Sequence, residues 1–514
     1  MRSKNSLKNI VTNISIQIVI ILLGFISRKV FIDSLGQTYL GVNALLTSIL
    51  SMLGLVEGGI GVSIVYNLYK PLAEKDEEKI IALVQLYKKL YFILSIIIFI
   101  LSLALYPFIG RFIKGGESIP LISIVYFIFV IKNMISYLNA HKWSLINADQ
   151  KEYVIARYNL VFNIVTTVLK ILVLKMCGNY IYYLLIETFV FAVQNIANGF
   201  VVDKRYPYIK TKKKYCVEKK IKDNLVMNTK SLFLHNIGSW CVYGTDNLLI
   251  SYFVGLKATG LYSNYVMLTA QLSALIDPVI SSMGASIGNL IATESSKKKY
   301  DVFKVTYLIN FWLYSISVIF LFNLVEPFIN WWIGYDNLLD KFTFVIVLVN
   351  LYLKGMRNSI LIFKYKGGIF KNDRYAALVE AIINLVASLI LVRYFGLVGI
   401  LLGTTISTLL VPFWIQAKVV YKYIFNQPLR WYFAKYILYA IVTIITGTIT
   451  TLICSFVVCE NFISLIIKGT ICIIIPNVVY LVLFHRSPEL HYITKSFKSV
   501  INYSSLRSKI FKVG

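Results

Sequence analysis

The chain has 514 residues, 58% of them hydrophobic and 15% charged, against about 45–50% and about 25% in ordinary soluble proteins. Soluble cores stop growing at about 250–300 residues, so the excess excludes a soluble globular protein, and the same numbers exclude a disordered, collagen-like or disulfide-rich secreted one. The net charge of +28 points to nucleic acid only until the basic residues are located: uncharged runs of membrane-spanning length separate them, as in a polytopic membrane protein.

A transmembrane helix needs about 20 predominantly apolar residues. In chain order the sequence predicts spans over 9–27, 34–69, 90–110, 118–140, 158–174, 176–202, 231–254, 258–293, 305–325, 342–363, 375–392, 394–417, 436–459 and 461–484, an all-α fold of about 14 transmembrane helices. The first is not a secretory signal, because Arg28-Lys29 follow it where a small-residue cleavage site belongs. An even number of spans puts both termini on one side. Placing them inside puts 39 of the 52 Lys and Arg on that side, which fixes an N-in/C-in orientation and accounts for the charge without nucleic acid.

The spans group into an N-lobe of six helices (1–202), a basic cytoplasmic linker (203–224), a C-lobe of six helices (225–425), two further helices (431–484) and a basic tail (485–514). Lys212-Lys213-Lys214 make the linker read as a segment at the anionic leaflet. Outer connections such as Cys177-Gly178-Asn179 and Phe395-Gly396-Leu397 leave no room for an extracellular catalytic domain. The six cysteines show no metal spacing, and Cys454 and Cys459 leave a disulfide open. The four histidines form no ligand cluster, and no phosphate-binding glycine loop or nucleophile elbow is present, so no cofactor is expected.

An internal repeat runs at an offset of about 220 residues. Gly36 and Gly41 match Gly255 and Gly260; Glu57 matches Asp277; Pro107-Phe108-Ile109 matches Pro327-Phe328-Ile329; and Lys132-Asn133-Met134 matches Lys354-Gly355-Met356. The i, i+4, i+8 stripe Asn159, Asn163, Thr167 matches Glu380, Asn384, Ser388. Six helices per unit give two lobes of the same topology, a parallel repeat of the kind transporters use around a midplane site. The 36-residue runs 34–69 and 258–293 exceed a straight span, and Glu57-Gly58-Gly59 and Asp277-Pro278 sit where a break would shorten them.

Fourteen spans, a six-plus-six repeat, an extra pair and a basic linker resemble the MOP exporter superfamily. Ser34-Leu35-Gly36-Gln37-Thr38-Tyr39-Leu40-Gly41-Val42-Asn43 and Tyr66-Asn67-Leu68-Tyr69-Lys70-Pro71-Leu72-Ala73-Glu74 are similar to its polysaccharide transporter branch, the O-antigen and capsule repeat-unit flippases. The resemblance implies movement of undecaprenyl-diphosphate-linked oligosaccharides from the inner to the outer leaflet of a bacterial cytoplasmic membrane, through a cationic cavity with alternating access. It also implies a polysaccharide polymerase and glycosyltransferases as neighbouring activities, and leaves oligomeric state open.

A charge at the bilayer centre costs at least about 2.5–3.5 kcal/mol on insertion scales, so it faces protein or water. The repeat-matched Lys132 and Lys354, with Arg357 three residues on, are candidate diphosphate ligands; the alternative is structural pairing with Glu187, Asp246 or Glu380. Arg28 either anchors helix 1 at the interface or lines the cavity, and Lys170 either binds substrate or snorkels. Glu57, Asp277, Glu187, Asp246 and Glu380 are candidates for coupling to Na+ or H+, or for structural pairing. Asn163 and Asn384 either meet sugar hydroxyls or bond neighbouring helices.

Two other functions compete. A multidrug–cation antiporter of the same superfamily favours acidic cavities and 12 spans; a lipid II flippase shares fold, span count and cationic cavity. An enzyme needs a long catalytic loop, which the spacing of the spans does not leave.

Overall fold

The computed structural model describes residues 2–113, 119–219, 221–223, 225, 237–238, 240–242, 244–369, 371–458 and 461–495. The expected span 231–254, Cys459 and the tail beyond 495 lie wholly or partly outside these residues. The described secondary structure is helical: α1 Arg2–Gly54, α2 Ile60–Glu74, α3 Glu77–Leu105, α4 Ile122–Leu138, α5 Ala140–Ala148, α6 Glu152–Cys177, α7 Tyr180–Arg205, α8 Asp246–Phe253, α9 Leu256–Ser282, α10 Gly284–Thr293, α11 Ser296–Ile333, α12 Lys341–Met356, α13 Asn358–Lys366, α14 Ala376–Phe395, α15 Leu397–Leu410, α16 Pro412–Val420, α17 Arg430–Ser455 and α18 Phe462–Phe484.

Ten helical segments are long and apolar enough to cross a membrane, and α4–α5, bent by 46°, makes an eleventh. The remaining expected spans, 9–27, 34–69 and 231–254, fall on α1–α2 and on the partly described segment before α8, so the fourteen-helix expectation agrees with the helices seen. At 53 residues α1 would be about 80 Å long if straight, more than twice the hydrocarbon thickness. It breaks at Gly36, whose φ of +81° and ψ of 178° lie outside the helical region. The run 34–69 breaks again at Gly58 and Gly59, both left-handed, where the sequence places a break. Its repeat mate behaves differently: α9 continues through Pro278 and gives way to α10 at Met283.

The short hairpins α6–α7 and α14–α15 follow from local chemistry. Gly178, at φ +57°, closes α6, and the Asn179 side chain accepts from the amides of Ile181 and Tyr182 to cap α7. Gly396, at φ +56°, makes the corresponding turn between α14 and α15. Asp76, Asp340 and Asn461 cap α3, α12 and α18 in the same way.

The chain divides into two compact units: residues 1–264 with 388–400, and residues 265–387 with 401–514. In the first, α1 packs along α6, α6 on α7, α4 on α7 and α2 on α5. The basic linker is fastened to this unit: Gln85 Nε2 donates to the Lys213 carbonyl at 2.7 Å, the Tyr215 amide donates to Gln85 Oε1 at 3.2 Å, and Val217 and Tyr206 are buried while the lysines stay exposed. In the second unit α11 is the axis, packed by α12, α17 and α18. Its core is aromatic: Phe303, Tyr307 and Phe311 meet Phe425, Tyr432, Tyr439 and Tyr480, with Phe311 stacked on Tyr439 at 4.2 Å. The two helices outside the repeat, α17 and α18, are thereby built into this unit. Buried Cys454 lies 3.6 Å from Cys472, sulfur to sulfur, both as free thiols, so its neighbour is a residue of α18.

Candidate functional site

Four elements of the first unit gather charge around one carboxylate. Lys170 stands seven residues before the end of α6 and Glu187 seven residues after the start of α7. The tight Gly178-Asn179 turn sets the two antiparallel, so both side chains lie about 10 Å below the hairpin. There Lys170 Nζ meets Glu187 Oε2 at 2.6 Å, while Lys132 of α4 pairs with Glu187 Oε1. The Lys170 ammonium also sits 4.3 Å from the Tyr183 ring centroid, and Lys132 5.9 Å from that of Phe191. Arg28 of α1 is a further charged neighbour of Tyr183; its Nε donates to Asn264 Oδ1 at 3.0 Å and its Nη2 to Ser263 Oγ at 2.7 Å.

The charges do not cancel. Lys132 and Lys170 set two positive charges against the one negative charge of Glu187, and Arg28 adds a third beside Tyr183. Lys170 is held inward at 15% side-chain exposure, and Lys132 keeps 34%. The Arg28 guanidinium is bonded within the unit.

The repeat-matched residues of the second unit are arranged differently. Lys354 is exposed, whereas Arg357 is buried where α12 gives way to α13. Arg357 Nε donates to Gln416 Oε1 at 3.2 Å; its Nη1 lies 3.7 Å from Glu380 Oε1, and neither of those atoms has a hydrogen-bond partner. The sequence puts Lys354 and Arg357 on one face; the structure gives them opposite exposures. Lys364 and Asp373, a buried pair the sequence reading passed over, ties α13 to the loop before α14.

The matched carboxylates do share a device. Glu57 accepts from the Tyr91 hydroxyl at 3.1 Å, and Asp277 from the Tyr314 hydroxyl at 2.6 Å and from Asn358 Nδ2 at 3.0 Å. Asp246 is buried against Tyr262 with its Oδ1 unpartnered. Asn384 is fully buried and donates to Thr404 Oγ1 at 3.0 Å, an interhelical bond. Asn163 is exposed and donates to the Asn159 carbonyl of its own helix at 2.9 Å.

A cavity of about 1010 Å³ opens within the first unit among α2, α3, α4, α5, α6 and α7. Phe191, one turn beyond Glu187, and Ser136, one turn beyond Lys132, belong to its wall, so the cation cluster borders it. Sequence reasoning singled out Asn159 and Glu57 from this wall and missed Gln194 and Asn198. The signal was there: Glu187, Phe191, Gln194 and Asn198 recur at i, i+4, i+7 and i+11, one face of α7.

No curated protein matches this chain. Among solved structures it is similar to the lipid II flippase MurJ in an inward closed conformation, with TM-score 0.65, 16% identity, and 93% of this chain and 99% of that one covered. It is also similar to an inward-facing multidrug resistance MATE family transporter of the MOP superfamily, with TM-score 0.62, 12% identity, and 80% and 98% covered. A MOP superfamily transporter from Pyrococcus furiosus gives TM-score 0.54, 11% identity, and 80% and 94% covered. These likenesses establish the fold. The model of the polysaccharide biosynthesis protein family matches residues 6–283, more than half of the chain. With its many apolar helices and this match, the chain is a multi-pass membrane protein that belongs to the polysaccharide biosynthesis protein family.

Proposed function

We propose that the protein is a flippase that moves polyprenyl-diphosphate-linked oligosaccharides, the repeat units of a surface polysaccharide, from the inner to the outer leaflet of a bacterial cytoplasmic membrane, making and breaking no covalent bond. The observation that carries this reading is the excess of positive charge where Lys132 and Lys170 share the one carboxylate of Glu187 and Arg28 stands beside Tyr183. A diphosphate carries the complementary charge, and ammonium and guanidinium donors bind its oxygens by charge-assisted hydrogen bonds that strengthen away from water. Lys132, more exposed than Lys170, is the first contact; Lys170 and Arg28 hold the field in place. Lys354 and Arg357 of the second unit are proposed as further phosphate-binding residues.

The multidrug antiporter reading requires a cavity that attracts cations, which an uncompensated cationic cluster repels. The orientation proposed is N-in/C-in, from the distribution of basic residues. The carboxylates Glu57 and Asp277, each bonded to a tyrosine, are the proposed sites of coupling to H+ or Na+. A glycosyltransferase that completes the lipid-linked unit and a polymerase that consumes it are the reactions expected on either side.

A deletion strain tests the reading. Lipid-linked repeat units should accumulate on the inner leaflet while surface polysaccharide is lost. Normal surface polysaccharide with raised drug sensitivity would transfer the case to a multidrug exporter.

A further inference from the structure

The cavity beside the cation cluster has a composition of its own. Its wall carries the amides of Asn147, Asn159, Gln194 and Asn198 and the rings of Tyr66 and Trp143, and no lysine or arginine. Its two ionisable carboxyls are Glu57 and Glu152. We propose that this cavity holds the sugar moiety of the substrate, and that it selects uncharged sugars, neutral or N-acetylated, against acidic ones such as hexuronic acids. The inference rests on the diphosphate reading above for the identity of the substrate, but on a different set of residues.

Three observations carry it. The amides form a chained network: Gln194 Nε2 and Asn198 Nδ2 both donate to Asn159 Oδ1, at 2.8 and 2.7 Å. That leaves the Gln194 carbonyl oxygen and the Asn159 amide hydrogens unused among the described residues, an acceptor and a donor side by side. Vicinal hydroxyls each donate and accept, so this is a matching surface for a sugar edge. Asn198 is 4% exposed and its Oδ1 has no partner; a buried acceptor in that state is unfavourable until a donor reaches it. Tyr66, at 68% exposure, presents its ring as a flat apolar surface that the C–H face of a pyranose can cover.

Location and charge complete the argument. Ser136 lies one helical turn, about 6 Å, from Lys132 on α4, so a diphosphate on the cluster places its first sugar at the cavity mouth. A uronic acid there would face Glu57 and Glu152 with no basic residue in the wall to pair it. The volume is at the upper end of pockets for small organic ligands, about 300–1,000 Å³, which gives room for more than one ring.

The test uses the full-length protein in lipid nanodiscs and three probes: farnesyl diphosphate, farnesyl diphospho-N-acetylhexosamine and farnesyl diphospho-hexuronic acid. The N-acetylhexosamine should tighten binding about tenfold over bare farnesyl diphosphate, the scale of one or two added hydrogen bonds. The hexuronic acid should give no gain. Gln194→Leu, Asn159→Leu and Tyr66→Ala should each erase the gain and leave the affinity for farnesyl diphosphate unchanged; Tyr66 is exposed enough that its loss does not disturb packing. A gain that survives all three variants, or an equal gain from hexuronic acid, overturns the inference. If farnesyl diphosphate itself does not bind, the diphosphate reading fails. The cavity is then judged by free N-acetylhexosamine oligosaccharide, whose binding, lost in Gln194→Leu, sustains the site, and whose failure to bind removes it.

Discussion

Gly41 and Gly260 meet backbone to backbone, and they are the same position of the internal repeat. A side-chain carbon on Gly41 would lie 2.0 Å from the Leu256 carbonyl oxygen, and one on Gly260 would lie 2.1 Å from the Gln37 carbonyl oxygen and 3.2 Å from the Gly41 nitrogen. The contact is reciprocal, since Gln37 and Leu256 are themselves repeat mates at the same offset of 219. Their neighbours Gly36 and Gly255, at φ +81° and +131°, both take up conformations that side-chain-bearing residues avoid. In a bilayer, where hydrophobic burial does not drive helices together, such close backbone approach is a main source of association.

Gly41→Val and Gly260→Val should therefore lower the thermal midpoint of the detergent-solubilised protein, by an amount equivalent to about 1–3 kcal/mol each for overpacking. Gly24→Ala, with nothing within 4 Å of the added carbon, is the control and should melt as the parent does. Unchanged midpoints for both valine variants would contradict the contact.

The two ammoniums on Glu187 make unequal predictions for unequal substitutions. Glu187→Gln leaves Lys132 and Lys170 facing each other without a counter-charge, and breaking a half-buried pair from one side strands the remaining charges away from full solvation. Its accumulation in the membrane should fall sharply, and adding Lys170→Met should restore it. Lys132→Gln leaves the Lys170–Glu187 pair intact, so the protein should accumulate normally while surface polysaccharide is lost. Full complementation by Lys132→Gln would remove that lysine from the transport site.

Native cysteines report the orientation. Cys177, in the α6–α7 hairpin, and Cys216, in the basic linker, are both exposed. In single-cysteine variants of intact cells, a membrane-impermeant maleimide should label Cys177 and reach Cys216 only after permeabilisation. The reverse pattern would invert the topology.

Glu57 and Asp277 occupy matched positions and each accepts a hydrogen bond from a tyrosine. If they carry the coupling ion, Glu57→Gln and Asp277→Asn should let the protein accumulate but make transport insensitive to collapse of the proton or sodium gradient. Transport that stays gradient-dependent in both variants would assign coupling elsewhere.

Much of this architecture is legible in the sequence, for a physical reason. Hydrocarbon thickness sets the length of every uncharged run, so the helices and the repeat can be read from spacing alone. The positions of Glu57-Gly58-Gly59 and of Gly41 and Gly260 carried real information, because left-handed backbone and close approach both require glycine. Partner choice was legible only as a short set of carboxylates: Lys132 takes Glu187 and Arg357 lies 3.7 Å from Glu380, both in that set, while the repeat match of Lys132 with Lys354 did not foretell that Lys354 is exposed. Pro278 failed as a marker of a break because a proline can be carried inside a membrane helix when neighbouring groups satisfy the freed carbonyl. Gln194 and Asn198 escaped notice because a polar residue at helical spacing reads first as an interhelical hydrogen bond.

The central claim, that a lipid-diphosphate oligosaccharide crosses the bilayer through this protein, is tested most directly by reconstitution. Purified protein is placed in vesicles containing a polyprenyl-diphosphate oligosaccharide with a fluorescent tag on its terminal sugar, and dithionite is added outside. The account predicts that the inner-leaflet pool, protected in protein-free vesicles, becomes accessible with the wild-type protein, and stays protected with the correctly folded Lys132→Gln variant. An inner pool that remains protected with active, folded wild-type protein under an imposed proton or sodium gradient would contradict it.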